Sequence, residues 1–404
     1  MKTPPRWCSI LVAFATPLLC HAAKKTPPPT DTVLFSFKDS KALPGKTPSG
    51  CLVTDGASFY GTTLTGRGKA GVIYKLDSSN HYTVLHTFAD GENATPFKKG
   101  LLDPGFPLTL VGSTLYGVAY GGGANSSPGH GPSGLIYSIG TDGSNFTKLH
   151  EFPAIQNDGR NPVGTPLVSG GVIYGVTANG GAHSVGVIYR LNTNGTGYQV
   201  LRSMDLDSGF PTGSLKLVGS TLYGTTFNPL PGAIHKIQTD GTGYTQLHVF
   251  GSGGGNGLLS GNGLVAIGST FYGLTYDKPP GGKSSVYSIF TYDTNGGAFH
   301  QIAFTDILFQ GATNVCGSLA LVNGVLVGIT GGGGTHHAGA IFRINPDGSD
   351  YSRLFSFGPA GKGINPGGAL LPSADGSLVR GTTTAGGAVD KGTIFSFPIA
   401  PAGA

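Results

Sequence analysis

The stretch "GSTLYGTT" at residues 219–226 holds no evident chemistry, yet the chain writes it again as "GSTLYGVAY" at 112–120 and "GSTFYGLTY" at 268–276. Weaker copies put the same glycine at seven places: Gly61, Gly117, Gly175, Gly224, Gly273, Gly328 and Gly381, spaced by 49 to 58 residues. Each copy belongs to a unit with one internal order. In the second unit this runs "PLTLVGS", "TLYGVAY", a glycine-rich loop, "GLIYSI", "TDGSN" and "FTKLHEF". The first two segments turn on a glycine and the last two on Asp-Gly, the strongest short hairpin signal. The third segment returns as "GVIYKL" (71–76), "GVIYRL" (186–191), "GAIHKI" (232–237), "GAIFRI" (339–344) and "GTIFSF" (392–397). The fourth returns as "YTVLHTF" (82–88), "YTQLHVF" (244–250) and "YSRLFSF" (351–357). Four antiparallel strands per ~50 residues, seven times over, predict an all-β, seven-bladed β-propeller.

The ends of the chain test that reading. Unit seven stops after "GTIFSF", one strand short, while "TVLFSF" at 32–37 has the pattern of the missing fourth strand. The N-terminal strand is therefore expected to complete the last blade and close the ring, leaving no unpaired sheet edge. Composition agrees. Gly supplies 71 of 404 residues, against a usual ~7%, and only 11% are charged while 38% are apolar. Such a chain is not disordered; it is made of short strands and tight turns.

Lys2 and Arg6, then "CSILVAFATPLLC" and "CHAA", read as the charged, apolar and cleavage regions of a secretory signal. The expected layout is a signal peptide at 1–23, a short linker at 24–31, a propeller at 32–398 and a tail at 399–404. The expected location is secreted or periplasmic. Leu19 before Cys20 argues against a lipid anchor, and no later segment reaches ~18 apolar residues, so membrane insertion is not expected. Removing Lys2 and Arg6 lowers the formal charge from +5 to +3, too little for a nucleic-acid footprint. A monomer is expected. The mature chain keeps Cys51 and Cys316, whose pairing export permits and their separation by two blades opposes; the sequence leaves it open.

The recurring pattern "LYGTT…GG…G.I(F/Y)…DG..Y..L..F" resembles the GloVer repeat of bacterial exported proteins. The resemblance covers nearly the whole mature chain. It implies a propeller-like exported protein and no particular activity. Members often carry a C-terminal sorting anchor; this chain ends "FPIAPAGA", which points to release.

A residue present in most copies belongs to the scaffold, so function is sought in departures from the pattern and in long loops. Tyr60, Tyr116, Tyr174, Tyr223 and Tyr272 share one position and read as blade packing. His86, His150 and His248 share another and read as structural. The loops between second and third strands, expected around the channel mouth, carry His130, His183, His336 and His337. Several imidazoles at one mouth suit a general base or a transition metal. No metal-ligand spacing is present, so no metal site or cofactor is expected, with a divalent cation as a weaker alternative. Asp205 and Asp207 have the look of calcium ligands without the rest of a calcium loop. Arg380 replaces the repeated tyrosine in unit seven, and His235 replaces the third-strand Tyr or Phe in unit four.

Two functions remain. The first is a binding or interaction module for a glycan or protein surface over the central channel, with His130, His337, His235, Asp205 and Asp207 as ligand-binding candidates. The loss of Trp7, the sole tryptophan, with the signal weakens its glycan form. The second is a carbohydrate-active enzyme, a polysaccharide lyase or glycoside hydrolase, in which His183, His336, Arg160 and Arg380 supply a base, an acid and a cation for a uronate. A structural surface protein is a third reading.

Overall fold

A computed structural model describes residues 30–66, 71–88, 107–123, 133–153, 157–227, 232–250, 263–277, 286–304, 315–358 and 362–399. These residues form seven four-stranded antiparallel sheets, six of them in simple chain order. In the seventh the order is Thr32–Ser36, Thr393–Pro398, Leu378–Gly386, Gly363–Pro372. The N-terminal strand thus completes the last blade, with Thr32 opposite Ser396 and Ser36 opposite Thr393. Asp31, the last residue of the expected linker, adds a clasp: its side chain is 1% exposed and lies 3.2 Å from Lys362 Nζ in the same blade. Thr47 N–H donates to Lys391 C=O (2.9 Å) from blade 1 to blade 7, so the ring is closed.

The repeated phrase is explained by what lies across its glycine. In every blade that glycine stands directly opposite the third-strand aromatic: Gly61 and Tyr74, Gly117 and Tyr137, Gly175 and Tyr189, Gly224 and His235, Gly273 and Phe290, Gly328 and Phe342, Gly381 and Phe395. The aromatic side chain folds over the bare backbone. A Cβ on Gly224 would meet His235 Nε2 at 2.7 Å, and a Cβ on Gly61 would meet Tyr74 Oη at 2.5 Å. All seven rings are fully buried. The glycine is kept because the ring needs its space, a close approach rather than a turn.

The "TT" that follows has its own task. Thr63, Thr177, Thr226, Thr330 and Thr383 each accept, through Oγ1, the first N–H of the third strand of the same blade, at 3.0–3.1 Å. This satisfies a buried donor where the chain re-enters the sheet. Neighbouring blades are joined at the rim by stacked rings. His86 lies on Phe146 (3.7 Å between centroids), His150 on Tyr198 (3.7 Å) and His248 on Phe299 (3.8 Å). Arg202 takes the same place between blades 3 and 4, with its guanidinium 3.8 Å from the Tyr244 ring centroid. The repeated histidines are inter-blade packing.

Gly117→Ala therefore forces the Tyr137 ring off its seat. A loss of about 1–3 kcal/mol is expected from overpacking, measured by urea denaturation, and Tyr137→Leu in the same chain should recover part of it.

Candidate functional site

The loops carrying His183 and His336 are one tight structure built twice. Gly186 N–H bonds Gly180 C=O (2.9 Å) and Gly339 N–H bonds Gly333 C=O (3.1 Å), closing each loop on itself. Ala182 and Thr335 N–H then bond the Ser203 and Ser356 hydroxyls, both at 3.2 Å, on the outermost strands. The loops therefore lean over the outer half of their blades, away from the channel mouth. His183, His336 and His337 are exposed. The third copy of the loop, in blade 7, closes through Gly392 and Gly386 and puts Val389 in the register of His183 and His336. His130 lies outside the described residues.

The other candidates are separated from these and from each other. Arg160 sits at the loop end of the inner strand of blade 3, opposite Asn179. Arg380 lies on the seam between blades 7 and 1, its guanidinium 4.5 Å from the Phe59 ring centroid. Asp205 accepts from Ser208 through N–H (2.8 Å) and Oγ (2.6 Å) and faces Arg202 at 3.5 Å. The Ser208 hydroxyl bond, more than the charges of Arg202 and His183, holds the Asp205 carboxyl below its usual range. Asp207 is exposed, and its carbonyl accepts from Gln246 Nε2 at 2.9 Å. His235 is completely buried over Gly224, and neither ring nitrogen has a partner among the described residues. Cys51 is a free thiol. Among the described residues no three His, Cys, Asp or Glu side chains gather as a metal-holding group, and no helix is long and apolar enough to cross a membrane.

One buried carboxylate cluster was not legible in the repeat. Asp158, between blades 2 and 3, accepts from Tyr198 Oη (2.5 Å) and Gly159 N–H (2.6 Å), with His150 Nε2 at 3.8 Å. Burial raises its pKa, but the His150 imidazole, the Tyr198 hydroxyl and the Gly159 N–H outweigh it and hold the group below the usual carboxylate value. Asp158, Gly159 and Tyr198 belong to blade 3 and His150 to blade 2, so the cluster latches these two blades at the rim.

Among the described residues, a groove lies on the hairpin-turn side of blade 2. Its volume is about 410 Å³, and it is lined by Ser113, Thr114, Tyr116, Ser138, Ile139, Gly140, Thr141, Asp142, Ser144, Asn145 and Thr147. One wall is set by the length of a single third-strand side chain. Ser138 stands opposite Tyr116, at the position held by Lys75, Arg190, Lys236 and Arg343 in blades 1, 3, 4 and 6 and by the short Thr291 and Ser396 in blades 5 and 7. Arg190 shows what the long side chain does there: its Nη1 reaches Thr239 C=O of the next blade at 3.3 Å. Ser138 is too short to make that span, and the surface beside it stays open. Asp142 is fixed at the rim by Ser144 N–H (2.9 Å), and bonds from Ser144 keep its carboxyl below the usual value.

Seven four-stranded antiparallel sheets in a closed ring define a seven-bladed β-propeller. The chain matches the Gloeobacter/Verrucomicrobia repeat over residues 102–287 and 211–395 and belongs to that family. No curated protein matches the sequence. In fold it is similar to an oligogalacturonate lyase in complex with manganese, at 14% identity, covering 93% of this chain and 97% of that one, with a TM-score of 0.55. It is also similar to the oligogalacturonate lyase of Vibrio parahaemolyticus (10% identity, 92% and 93% covered, TM-score 0.54). A third likeness is to the extracellular domain of a hybrid two component system of B. thetaiotaomicron (10% identity, 92% of this chain and 43% of that one, TM-score 0.56). At these identities the likeness is one of fold.

Burial pushes His235 down to about 3, with the Arg202 charge adding to the effect. The unfolded chain protonates this histidine near ~6.5, so its neutral burial stabilises the fold fully above that pH, and the benefit fades as pH falls from about 6.5 toward 3. One such group costs about 2 kcal/mol between pH 7 and pH 5. His235→Phe, the residue type of blades 5 to 7, should remove that share of the acid sensitivity in urea denaturation at the two pH values.

Proposed function

We propose that the protein is an exported propeller that works as a binding module, and that its ligand is a glycan held in the groove of blade 2. The observation that carries this reading is the groove itself, bordered by Ser138 where four other blades hold a long basic side chain. Its lining offers six aliphatic hydroxyls together with Asn145, the Tyr116 side chain and the oriented Asp142 carboxylate. Convergent neutral donors and acceptors around a small cavity are what a polyhydroxylated ligand requires. The absence of basic side chains from the lining favours a neutral sugar over a polyanion.

The enzymatic reading draws support from the likeness in fold to the oligogalacturonate lyases. It draws none from His183, His336 and Arg380, which occupy two outer loops and a blade seam. Residues 1–23 are proposed to direct export and to be removed, consistent with a mature chain that begins just before the closing strand.

A glycan and polysaccharide screen on the mature chain, read for binding and for unsaturated products, tests both readings. Binding of neutral glycans without product is expected. Ser138→Lys writes the residue of blades 1 and 4 into blade 2 and should reduce binding by about tenfold or more, the effect of losing roughly 1.4 kcal/mol of contact. Unaltered binding in Ser138→Lys would displace the site from the groove. An unsaturated product from polygalacturonate would replace the module by an enzyme.

A further inference from the structure

The seams between blades are not alike. In three of them a phenylalanine just beyond the outermost strand of one blade meets the third-strand ring of the next edge-on. These pairs are Phe88 with Tyr137 (5.4 Å between centroids), Phe152 with Tyr189 (5.6 Å) and Phe250 with Phe290 (5.6 Å). The seams between blades 6 and 7 and between blades 7 and 1 are closed by the same kind of pair. The equivalent residue of blade 5 lies outside the described residues. Between blades 3 and 4 both partners are replaced. Met204 holds the place of the phenylalanine, its N–H on Gly186 C=O at 2.9 Å as that of Phe88 is on Gly71 C=O at 3.1 Å. His235 holds the place of the ring, opposite Gly224.

What crosses this seam is polar instead. Arg190 Nη1 reaches Thr239 C=O at 3.3 Å, Gln246 Nε2 reaches Asp207 C=O at 2.9 Å, and Thr165 N–H donates to Ser214 Oγ at 2.8 Å. His235 is 0% exposed within it. Neither of its ring nitrogens has a hydrogen-bond partner among the described residues, and Arg202 Nε lacks one as well. A protonated imidazole carries two N–H donors, so a proton here adds a second donor and a charge to a site that already leaves the ring unpaired. The groups facing it supply no negative charge for that. Its own blade offers Leu215, Gly224 and the Tyr244 ring, 5.5 Å away between centroids. Blade 3 brings Tyr174, Arg190 and Arg202 to the seam, two of them cations. Asp205 is already held by Arg202 at 3.5 Å and Ser208 Oγ at 2.6 Å, with the His183 charge also acting on it, and Asp207 is exposed.

We propose that the seam between blades 3 and 4 is an acid-operated opening in the ring: protonation of His235 parts these two blades while the other seams hold. The stability of a repeat array is a sum of unit and neighbour contributions, so one weakened seam opens locally before the ring melts. Burial, with the Arg202 charge, holds the closed-state imidazole down at about 3, whereas a solvated histidine protonates near ~6.5. Opening is therefore coupled to proton uptake below about pH 6.5 and reverses when the pH is raised. The device is independent of the blade 2 groove, and it confines the acid sensitivity of His235 to one seam.

Hydrogen exchange of the mature chain, read as protection factors at pH 7 and pH 5, tests this. Thr165 N–H donates across the seam in question, Thr47 N–H across that between blades 7 and 1, and Asn365 N–H, on Ala338 C=O at 2.9 Å, across that between blades 6 and 7. Between pH 7 and pH 5 the protection of Thr165 should fall on the order of 20-fold, as one such titration produces, while Thr47 and Asn365 change at most about twofold. His235→Phe should abolish the fall at Thr165, and His235→Tyr, the residue type of blades 1 to 3, should act alike. An equal loss at all three amides would mean that the whole ring responds and would overturn the local opening. So would unchanged protection of Thr165 at pH 5, or a fall at Thr165 that persists in both variants. The comparison of the three amides in the wild type needs no variant to fold.

Discussion

The architecture depends on one contact repeated seven times: the tip of a third-strand aromatic ring seated over a glycine of the second strand. The ring fills the space that a side chain would otherwise take and covers backbone that glycine leaves bare. Because the pair is cross-strand and buried, it fixes the register of the two central strands of each blade. A slip of one residue would set the ring against a neighbour that carries a side chain, such as Tyr116 or Val118 beside Gly117, and turn the apolar face outward. From that register follow the threonine that caps the entry to the third strand and the rim residues that reach the next blade.

The same contact explains why the third-strand residue varies only among Tyr, Phe and His. Tyr74, Tyr137 and Tyr189 carry hydroxyls with no hydrogen-bond partner among the described residues. The position therefore selects for a flat ring of sufficient size and tolerates an unsatisfied polar atom at its tip. His235 is an extreme case of that tolerance, a neutral imidazole in a core position. Its departure from the pattern is a packing variant with a pH cost.

Not all departures are equivalent, and their location decides what they do. Arg380 and Arg202 leave the pattern on seams, where an aromatic ring of the adjacent blade receives the guanidinium. Ser138, like Thr291 and Ser396, is short where four blades hold Lys or Arg, and in blade 2 this borders an open groove. Lys216 leaves the pattern on an inner strand, at a position where the other six blades hold neutral residues. The scaffold is uniform enough that each change can be compared with six equivalent positions in the same molecule.

The count of blades, the order of strands and the closure by Thr32–Ser36 were legible in the sequence, because a hairpin period and a missing fourth strand are local patterns. The structural role of the repeated tyrosines and histidines was legible for the same reason. The candidate site was not. His183 and His336 share a loop register, but the loops fold outward because their N–H groups bond serines of the outermost strands, and no spacing reveals that direction. Ser138 and Lys216 look ordinary in the chain, since serine in a strand and lysine near a turn are common. Their meaning comes from which face of the blade they occupy and from what the other blades hold there. Sequence alone determined the period and hence the ring, because backbone pairing and burial act between neighbours along the chain. Tertiary structure alone decided where open space remains and which way the loops turn, because both depend on contacts among residues far apart in the sequence.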